Sequence, residues 1–280
     1  MFDLACSLVL AAGSLIVAVA YAGRVSRVGA ARHARIERAG SSPLLSKSAM
    51  EMGYWAMRPV ALACISLGVS ANTVSWASLG LAAAAGGALA LGHFGVAAAL
   101  SVASSVCDAL DGMVARETGT AGDAGEVLDA TVDRYAELFF FGGIVLHERG
   151  DGLTVALALA ATAGAIMVSY ATAKAEALRV EAPRGAMRRQ ERAVYVAVGV
   201  ALVPIAQAAS ARWGLPSWIA SIPLITVLGL IAVVGNVSAV RRLRAVARAV
   251  KKPATVRARQ PGDVQSLAPD SHAAVSDALR

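Results

Sequence analysis

Four aspartates near the middle of the chain have the spacing of a divalent-metal site. Asp108 and Asp111 form one pair, and Asp129 and Asp133 form a second pair after a short connection. At about 100° per residue, each pair lies on one face of a helix. Carboxylates concentrated in a small volume repel one another, and hard cations such as Mg²⁺ or Mn²⁺ remove that repulsion by accepting oxygen ligands. Four acids are enough for two cations, an arrangement that stabilises the attacking and leaving oxygens of phosphoryl displacement.

Very small residues accompany both acidic pairs. Gly112 and Ala115 lie on the face of the first pair, and Gly125 lies one turn before the second. A position with little or no side chain lets a phosphate or a flat ring approach the backbone. Arg116 follows the first face and can donate two parallel hydrogen bonds to a phosphate. These residues predict a phosphate-bearing ligand beside the acids.

Membrane-spanning helices are the elements that must position these residues. The 280 residues are 57% hydrophobic and only 16% charged, which is too apolar for an ordinary soluble domain. Residues 59–107 include no Asp, Glu, Lys or Arg, and one span needs about 20 helical residues. We therefore predict an all-α integral membrane bundle with seven spans. They are 2–22, 71–91, 96–114, 125–146, 153–173, 193–211 and 218–240.

Composition along the chain predicts three parts. Residues 1–43 form an uncleaved N-terminal anchor helix and a basic linker, residues 44–250 form the membrane domain, and residues 251–280 form a disordered cytoplasmic tail. Within the membrane domain, the segment 44–67 mixes aromatic and basic residues such as Trp55 and Arg58. That mixture is typical of a juxtamembrane amphipathic helix in the headgroup plane.

The distribution of basic residues predicts the orientation. Lys and Arg concentrate in the loops within 24–58, 174–192 and 241–259, and the opposite side has only Arg149 and Arg212. Because cytoplasmic loops carry the excess of positive charge, the acidic cluster is expected at the cytoplasmic face of the inner membrane. The net charge of +7 then reflects topology and attraction to anionic membrane lipids. We expect no nucleic-acid partner, because that would need a soluble basic fold.

The complete acidic pattern resembles the signature of the CDP-alcohol phosphatidyltransferases. It reads Asp108-x2-Asp111-Gly112-x2-Ala115-Arg116-x8-Gly125-x3-Asp129-x3-Asp133. The resemblance implies a six-helix core over about 44–249, here preceded by an extra N-terminal transmembrane helix, and a homodimer. It further implies Asp108, Asp111 and Asp129 as metal ligands, Asp133 as both ligand and general base, and Gly112, Ala115, Arg116 and Gly125 as CDP-binding positions.

The implied reaction is attack by an acceptor hydroxyl on the β-phosphorus of a CDP-linked lipid, CDP-diacylglycerol, with release of CMP. Two Mg²⁺ or Mn²⁺ ions would stabilise the pyrophosphate, and Asp133 would take the hydroxyl proton. If the acids only paired with Arg116 and Arg134, at least two would lack partners. A divalent cation transporter is the alternative from another class, but its carboxylates would spread toward the membrane midplane.

A second pattern is similar to that of phosphatidylinositol phosphate synthases. It consists of Ser169-Tyr170-x2-Ala173-Lys174, Glu191-Arg192 and Ser238-x2-Arg241-Arg242. In that subfamily a serine, a lysine and two arginines hold the phosphate of inositol phosphate. Ser169, Arg192 and Arg242 match three of these positions, and Thr172 stands at the position of the lysine. We expect a small phosphorylated alcohol as acceptor, inositol phosphate first, with phosphatidylglycerophosphate synthesis as the alternative.

Two further charged positions carry open interpretations. Glu137, one turn beyond Asp133, either supports the site or packs a helix. Basic residues beside the acceptor pattern, among them Arg188 and Arg189, either bind the same anion or only set the topology.

Overall fold

The computed structural model describes residues 1–29, 46–181 and 185–251, and every regular element in those residues is helical. These described residues form nine α-helices, one 3₁₀ turn and one π-helical segment. The elements in chain order are α1 Phe2–Val28, α2 Lys47–Ser66, α3 Ala71–Ala90, α4 Phe94–Glu117, α5 Asp123–His147, α6 Gly152–Ala177, α7 Arg189–Trp213, the 3₁₀ turn Ser217–Ser221, α8 Ile222–Leu230, the π segment Ile231–Gly235 and α9 Asn236–Val250. The prediction of an all-α membrane bundle is confirmed.

Six helical rods of the described residues are long and apolar enough to cross a membrane: α1, α3, α4, α6, α7 and the continuous rod Ser217–Val250. The prediction of a multi-pass membrane protein is confirmed. The seventh predicted span, 125–146, forms α5, which is 25 residues long but is not among these six. The reason is its charge, because Asp129, Asp133, Arg134 and Glu137 all lie in its first two-thirds.

Backbone contact between α3 and α5 fixes where the acidic half of α5 lies. A Cβ added at Gly86 would lie 2.4 Å from the carbonyl oxygen of Phe139, and one added at Gly143 would lie 2.2 Å from the carbonyl oxygen of Gly86. Glycines at such crossings let helices of a membrane bundle approach closely. The core continues from this crossing through the fully buried side chains of Leu89 and Ile144.

Two buried serines hold α3 against α4. Ser78 Oγ donates to the carbonyl oxygen of Ser104 at 3.0 Å, and Ser104 Oγ donates to the carbonyl oxygen of Ser78 at 2.9 Å. Hydroxyl groups inside a bundle are satisfied in this way by neighbouring helices. α3 is therefore tied to both of the helices that carry the aspartates.

The extra N-terminal helix α1 docks on the start of α4. The Asp3 Oδ1 atom accepts a hydrogen bond from the Val96 backbone N–H at 3.1 Å, and Oδ2 lies 3.2 Å from Nδ1 of His93. His93, the N-cap residue of α4, makes no side-chain cap of its own, so Asp3 supplies the acceptor that a helix start requires. A Cβ at Gly95 would lie 1.9 Å from the Asp3 carbonyl oxygen. The chain therefore begins at the end of α4 opposite to Asp108 and Asp111.

The predicted amphipathic segment forms α2. The Ser46 hydroxyl caps it by accepting from the Ala49 N–H at 3.2 Å, and Ala61 packs with Val74 and Leu110 in a small separate core. Its position in the headgroup plane stays a prediction, as does the division of the chain at residues 43 and 250. The predicted linker from residue 30 and the tail from residue 252 lie outside the described residues.

Candidate active site

Three of the four predicted aspartates converge at one end of the bundle. α4 and α5 are joined by a short turn in which Gly119 adopts a φ of 69°, a left-handed conformation that glycine adopts without steric cost. With both helices packed on α3, a carboxylate oxygen from each of Asp108, Asp111 and Asp129 lies within 4.8 Å of the others. Ser75 of α3 donates a hydrogen bond of 2.5 Å to Asp111 Oδ2 and thereby orients that carboxylate.

The oxygens of this acidic group fit a hard divalent cation. Opposite ligands of Mg²⁺ lie about 4 Å apart, since each bond is about 2.0–2.1 Å, and the three oxygens have that scale of separation. Asp108 Oδ1 is buried and accepts no hydrogen bond within the described protein. An ionised oxygen in that position is costly unless a cation or donor approaches it. The donor set contains only oxygen, which Mg²⁺ and Mn²⁺ prefer to softer ligands.

Asp133 lies beside the three converging acids and shares an arginine with Asp108. Arg189, the first residue of α7, hydrogen-bonds Asp108 Oδ2 through Nη1, and its Nη2 atom is 2.8 Å from Asp133 Oδ1. A weaker ion pair joins Asp133 Oδ2 to Nη1 of Arg134 at 3.7 Å. Sequence reasoning placed Arg189 only in a general basic set, so its position between two aspartates is new.

The four predicted CDP positions lie at the same end of the bundle. Gly112, Ala115 and Arg116 occupy the last two turns of α4, and Gly125 occupies the first turn of α5. A Cβ at Gly112 would lie 3.0 Å from Nη1 of Arg116, so this arginine folds back over the glycine. At Gly125 a Cβ would meet open space. Their role in binding CDP stays a prediction, and the space beside Gly125 is compatible with it.

The two predicted acceptor arginines converge on one short segment, residues 185–187. Arg192 is 1% exposed and donates through Nη1 to the Met187 carbonyl at 2.6 Å. Arg242 donates through Nη2 to the Gly185 carbonyl at 3.0 Å, and its Nη1 donates to Thr172 Oγ1 at 3.4 Å. Thr172, the residue at the expected lysine position, therefore touches one of the predicted arginines.

The remaining acceptor residue is on α6. Ser169 is half-buried there, just under one turn before Thr172. Arg242 Nε is buried without a hydrogen-bond partner among the described residues. An unsatisfied donor of this kind suits a phosphate oxygen, although the acceptor role of the three residues stays a prediction.

Glu137 holds the first acceptor arginine. Its Oε1 atom accepts from Nε and Nη2 of Arg192 at 2.8 and 2.5 Å. This ion pair joins α5 to α7, so both interpretations of Glu137, support of the site and helix packing, agree with the contacts. The sequence does place Arg189 on the same helical face as Arg192, because the two are three residues apart and such residues share a face.

A cavity of about 60 Å³ lies beside Arg189 and Arg192. Glu137, Arg189 and Arg192 line one part of it, and Ser101, Ser104 and Ser105 of α4 line another. Arg189 thus faces both the aspartates and this cavity. The cavity therefore has arginines and hydroxyl groups in its lining, and Arg189 links it to the aspartates.

Comparison with known proteins gives consistent matches. The family model for CDP-alcohol phosphatidyltransferase matches residues 68–234. The phosphatidylinositol phosphate synthase of Cutibacterium acnes is 33% identical over 143 residues, which cover 48% of this chain and 67% of that protein. The phosphatidylinositol phosphate synthase of Streptomyces avermitilis is 30% identical over 212 residues, covering 73% and 83% of the two chains.

A solved structure matches the fold as well. The crystal structure of Mycobacterium tuberculosis phosphatidylinositol phosphate synthase with CDP-DAG bound superposes with a TM-score of 0.60 at 25% identity, and the match covers 70% of this chain and 97% of that chain. The same protein has been solved in complex with manganese and citrate, again with a TM-score of 0.60.

Proposed function

Because the chain belongs to the CDP-alcohol phosphatidyltransferase family and is therefore an enzyme of phospholipid biosynthesis, we propose that it transfers a phosphatidyl group from CDP-diacylglycerol to a hydroxyl of a phosphorylated polyol. The observation that carries this proposal is the convergence of Asp108, Asp111 and Asp129 beside a cavity lined by Arg189 and Arg192. A solved relative that binds CDP-DAG supports the choice of donor.

Two Mg²⁺ or Mn²⁺ ions are part of the proposal. Asp108, Asp111 and Asp129 are the ligands, and Asp133 completes the set. The manganese bound by a relative of similar fold supports a divalent ion here. The chemistry that such ions supply when bound is neutralisation of the charge that develops on the leaving phosphate.

The chain's own residues perform the remaining work. Gly112, Ala115 and Gly125 leave room for the cytidine diphosphate, and Arg116 donates hydrogen bonds to a phosphate oxygen. Asp133 accepts the proton of the acceptor hydroxyl while that oxygen forms its bond to the β-phosphorus. The bond from this phosphorus to the CMP oxygen breaks in the same displacement, and CMP leaves.

Inositol phosphate is the first candidate for the acceptor. The relatives with this name and the two arginines that converge on residues 185–187 support it. Ser169, Arg192 and Arg242 would hold the acceptor phosphate, with Thr172 in place of a lysine. Glycerol 3-phosphate, the acceptor in phosphatidylglycerophosphate synthesis, is the alternative. A cation transporter is no longer supported, because the matching family consists of transferases.

We further propose a homodimer in the inner membrane, with the aspartate end of the bundle facing the cytoplasm. Arg116, Arg188 and Arg241 are at or near this end, whereas Arg149 lies at the other. That distribution agrees with the excess of positive charge in cytoplasmic loops. In this arrangement residues 1–43 would be the anchor and linker, residues 44–250 the catalytic domain and residues 251–280 the tail.

An acceptor panel tests the proposed reaction. Purified protein receives labelled CDP-diacylglycerol, Mg²⁺ or Mn²⁺, and one of inositol phosphate, free inositol, glycerol 3-phosphate or serine, and CMP and the lipid product are measured. We expect CMP release with a phosphorylated polyol and the greatest rate with inositol phosphate. Failure to release CMP with any acceptor would contradict the proposal, and a higher rate with glycerol 3-phosphate would replace the acceptor.

Arg242→Gln is expected to lower kcat/KM for the phosphorylated acceptor by about 10- to 100-fold, since a hydrogen bond to a charged group contributes about 1.5–3 kcal/mol. Most of the loss should be in KM of the acceptor, and KM of the CDP-linked lipid should change little. The hydrogen bonds of Arg242 go to neutral oxygens of Thr172, Gly185 and Ala186, so the replacement breaks no ion pair among the described residues.

Arg244→Gln is the matched control for this prediction. Arg244 is on the same helix, carries the same charge and is exposed, so its replacement should leave both KM values unchanged. Equal effects of the two replacements would mean that Arg242 acts through general charge and not through contact with the acceptor phosphate.

A further inference from the structure

The guanidinium of Arg189 joins two helices at the centre of the acidic group. It contacts Asp108 of α4 through Nη1 and Asp133 of α5 through Nη2, the latter at 2.8 Å. The side chain is only 25% exposed. A guanidinium is always charged and presents its donors in a fixed planar fork, which is the geometry required to bridge two carboxylates.

Arg189 and a divalent cation need the same two carboxylates. Asp108 and Asp133 both belong to the proposed ligand set, and each has an oxygen in contact with Arg189. A cation held by these oxygens would lie a few ångström from a guanidinium, and two positive charges at that distance repel strongly in a partly buried site. The ion pairs must therefore open when the cation binds.

Arg189 also faces a neighbouring cavity. It lines the cavity that also contains Arg192 and Glu137, and it is on the same face of α7 as Arg192 because the two are three residues apart. A guanidinium that leaves the aspartates can thus turn toward Arg192, one of the residues proposed to hold the acceptor phosphate.

We propose that Arg189 is a positioning residue that holds Asp108 and Asp133 together before the divalent cation binds, gives them up to the cation, and then contacts a substrate phosphate. This inference rests on the proposed function, because it uses its metal ligands. It predicts that loss of Arg189 strengthens cation binding, whereas loss of a residue with a purely structural role would weaken it.

Competition between Arg189 and the cation determines how loss of Arg189 changes cation affinity. When a cation must displace Arg189, its apparent dissociation constant equals the intrinsic value divided by the fraction of protein in which the carboxylates are free of Arg189. Loss of Arg189 removes that competition and so tightens cation binding. A residue that only supported the shape of the site would, when lost, weaken cation binding.

The test is Mn²⁺ binding to the purified full chain without substrates, measured by electron paramagnetic resonance of the free ion. Arg189→Gln is expected to lower the dissociation constant by about tenfold or more, as expected for removal of a competing state. Arg189→Lys keeps the charge, but an ammonium lacks the planar set of donors that bridges two carboxylates. Its dissociation constant for Mn²⁺ should therefore lie between those of Arg189→Gln and wild type. Arg244→Gln, which removes an exposed positive charge elsewhere, should match wild type.

Thermal unfolding in EDTA gives an independent readout. Without a cation, Arg189→Gln leaves the aspartates uncompensated, and we expect its melting temperature to fall by about 2–4 °C or more. Saturating Mn²⁺ should remove most of this difference. At saturating Mn²⁺ the variant should also show a raised KM for a phosphate-bearing substrate, which reports the second position of the arginine.

Unchanged or weaker Mn²⁺ binding in both Arg189→Gln and Arg189→Lys would overturn the inference, while a wild-type protein that binds Mn²⁺ would leave the proposed function intact. A wild-type protein that binds no Mn²⁺ would overturn both. If Arg189→Gln does not fold, the lysine variant decides, since unchanged affinity there would also contradict competition.

Discussion

Asp133→Asn is expected to lower the rate of CMP release by about 10²- to 10⁴-fold, the contribution typical of a positioned general base. Asparagine has nearly the same shape as aspartate but cannot take up the acceptor proton. Asp133 is 9% exposed, and asparagine keeps a side-chain oxygen that can accept from Arg189, so the change should leave the packing of α5 intact. CMP release at saturating Mn²⁺ and substrates measures the rate, and calorimetric titration with CMP measures nucleotide binding, which should persist.

Asp123→Asn provides the matched control on the same helix. Asp123 is exposed at the start of α5 and has no proposed contact with the reacting groups, so its replacement should change CMP release less than twofold. Undiminished turnover in Asp133→Asn would remove Asp133 as the base. Loss of CMP binding together with turnover would instead indicate that the site as a whole had been disturbed.

The aspartate hairpin could be predicted from the sequence because its determinants are local. Helical periodicity sets the faces of Asp108 and Asp111, and the turn between α4 and α5 is too short for any connection other than an antiparallel one. The structure accordingly brings three of the carboxylates together. The fourth, Asp133, is on the expected helix, but periodicity alone does not show that an arginine bridges it to Asp108.

Contacts between distant segments could not be predicted in the same way. Arg189 and Asp108 are 81 positions apart, and Asp3 and Val96 are 93 positions apart. Periodicity identifies the face on which a residue lies, but it does not identify the helix that packs on that face. The docking of α1 through Asp3 and the bridging role of Arg189 both depend on this missing information.

The charge of α5, which keeps it outside the six strongly apolar rods, depends on the same missing information. Its second half is apolar, with Phe140, Phe141 and Ile144 buried in the core. Its first half carries the acids of the site and a buried ion pair between Glu137 and Arg192. Such charges are tolerated in a bundle because neighbouring helices pair with them, and sequence composition does not reveal the partners.

Removal of divalent cations is expected to abolish CMP release altogether, and addition of Mg²⁺ or Mn²⁺ in excess of the chelator should restore it. In the described part of the site, the acids lie where negative charge would develop on the phosphates. Without cations, the carboxylates and the phosphates would therefore repel one another during the reaction. EDTA already loaded with Mg²⁺ is the control, because it has the same ionic strength and chelator concentration but removes no cation from the protein.

Replacement of the proposed ligand Asp129 tests where the cation that EDTA removes is bound. Asp129→Asn should raise the Mn²⁺ concentration needed for half-maximal activity by about tenfold or more, as expected when a charged ligand interaction of about 1.4 kcal/mol or more is lost. Glu126→Gln, an exposed change of the same kind on α5, should leave that concentration unchanged. CMP release at the full rate in EDTA would contradict a metal-dependent reaction. Equal metal dependence of the two variants would instead mean that the essential cation binds away from Asp129.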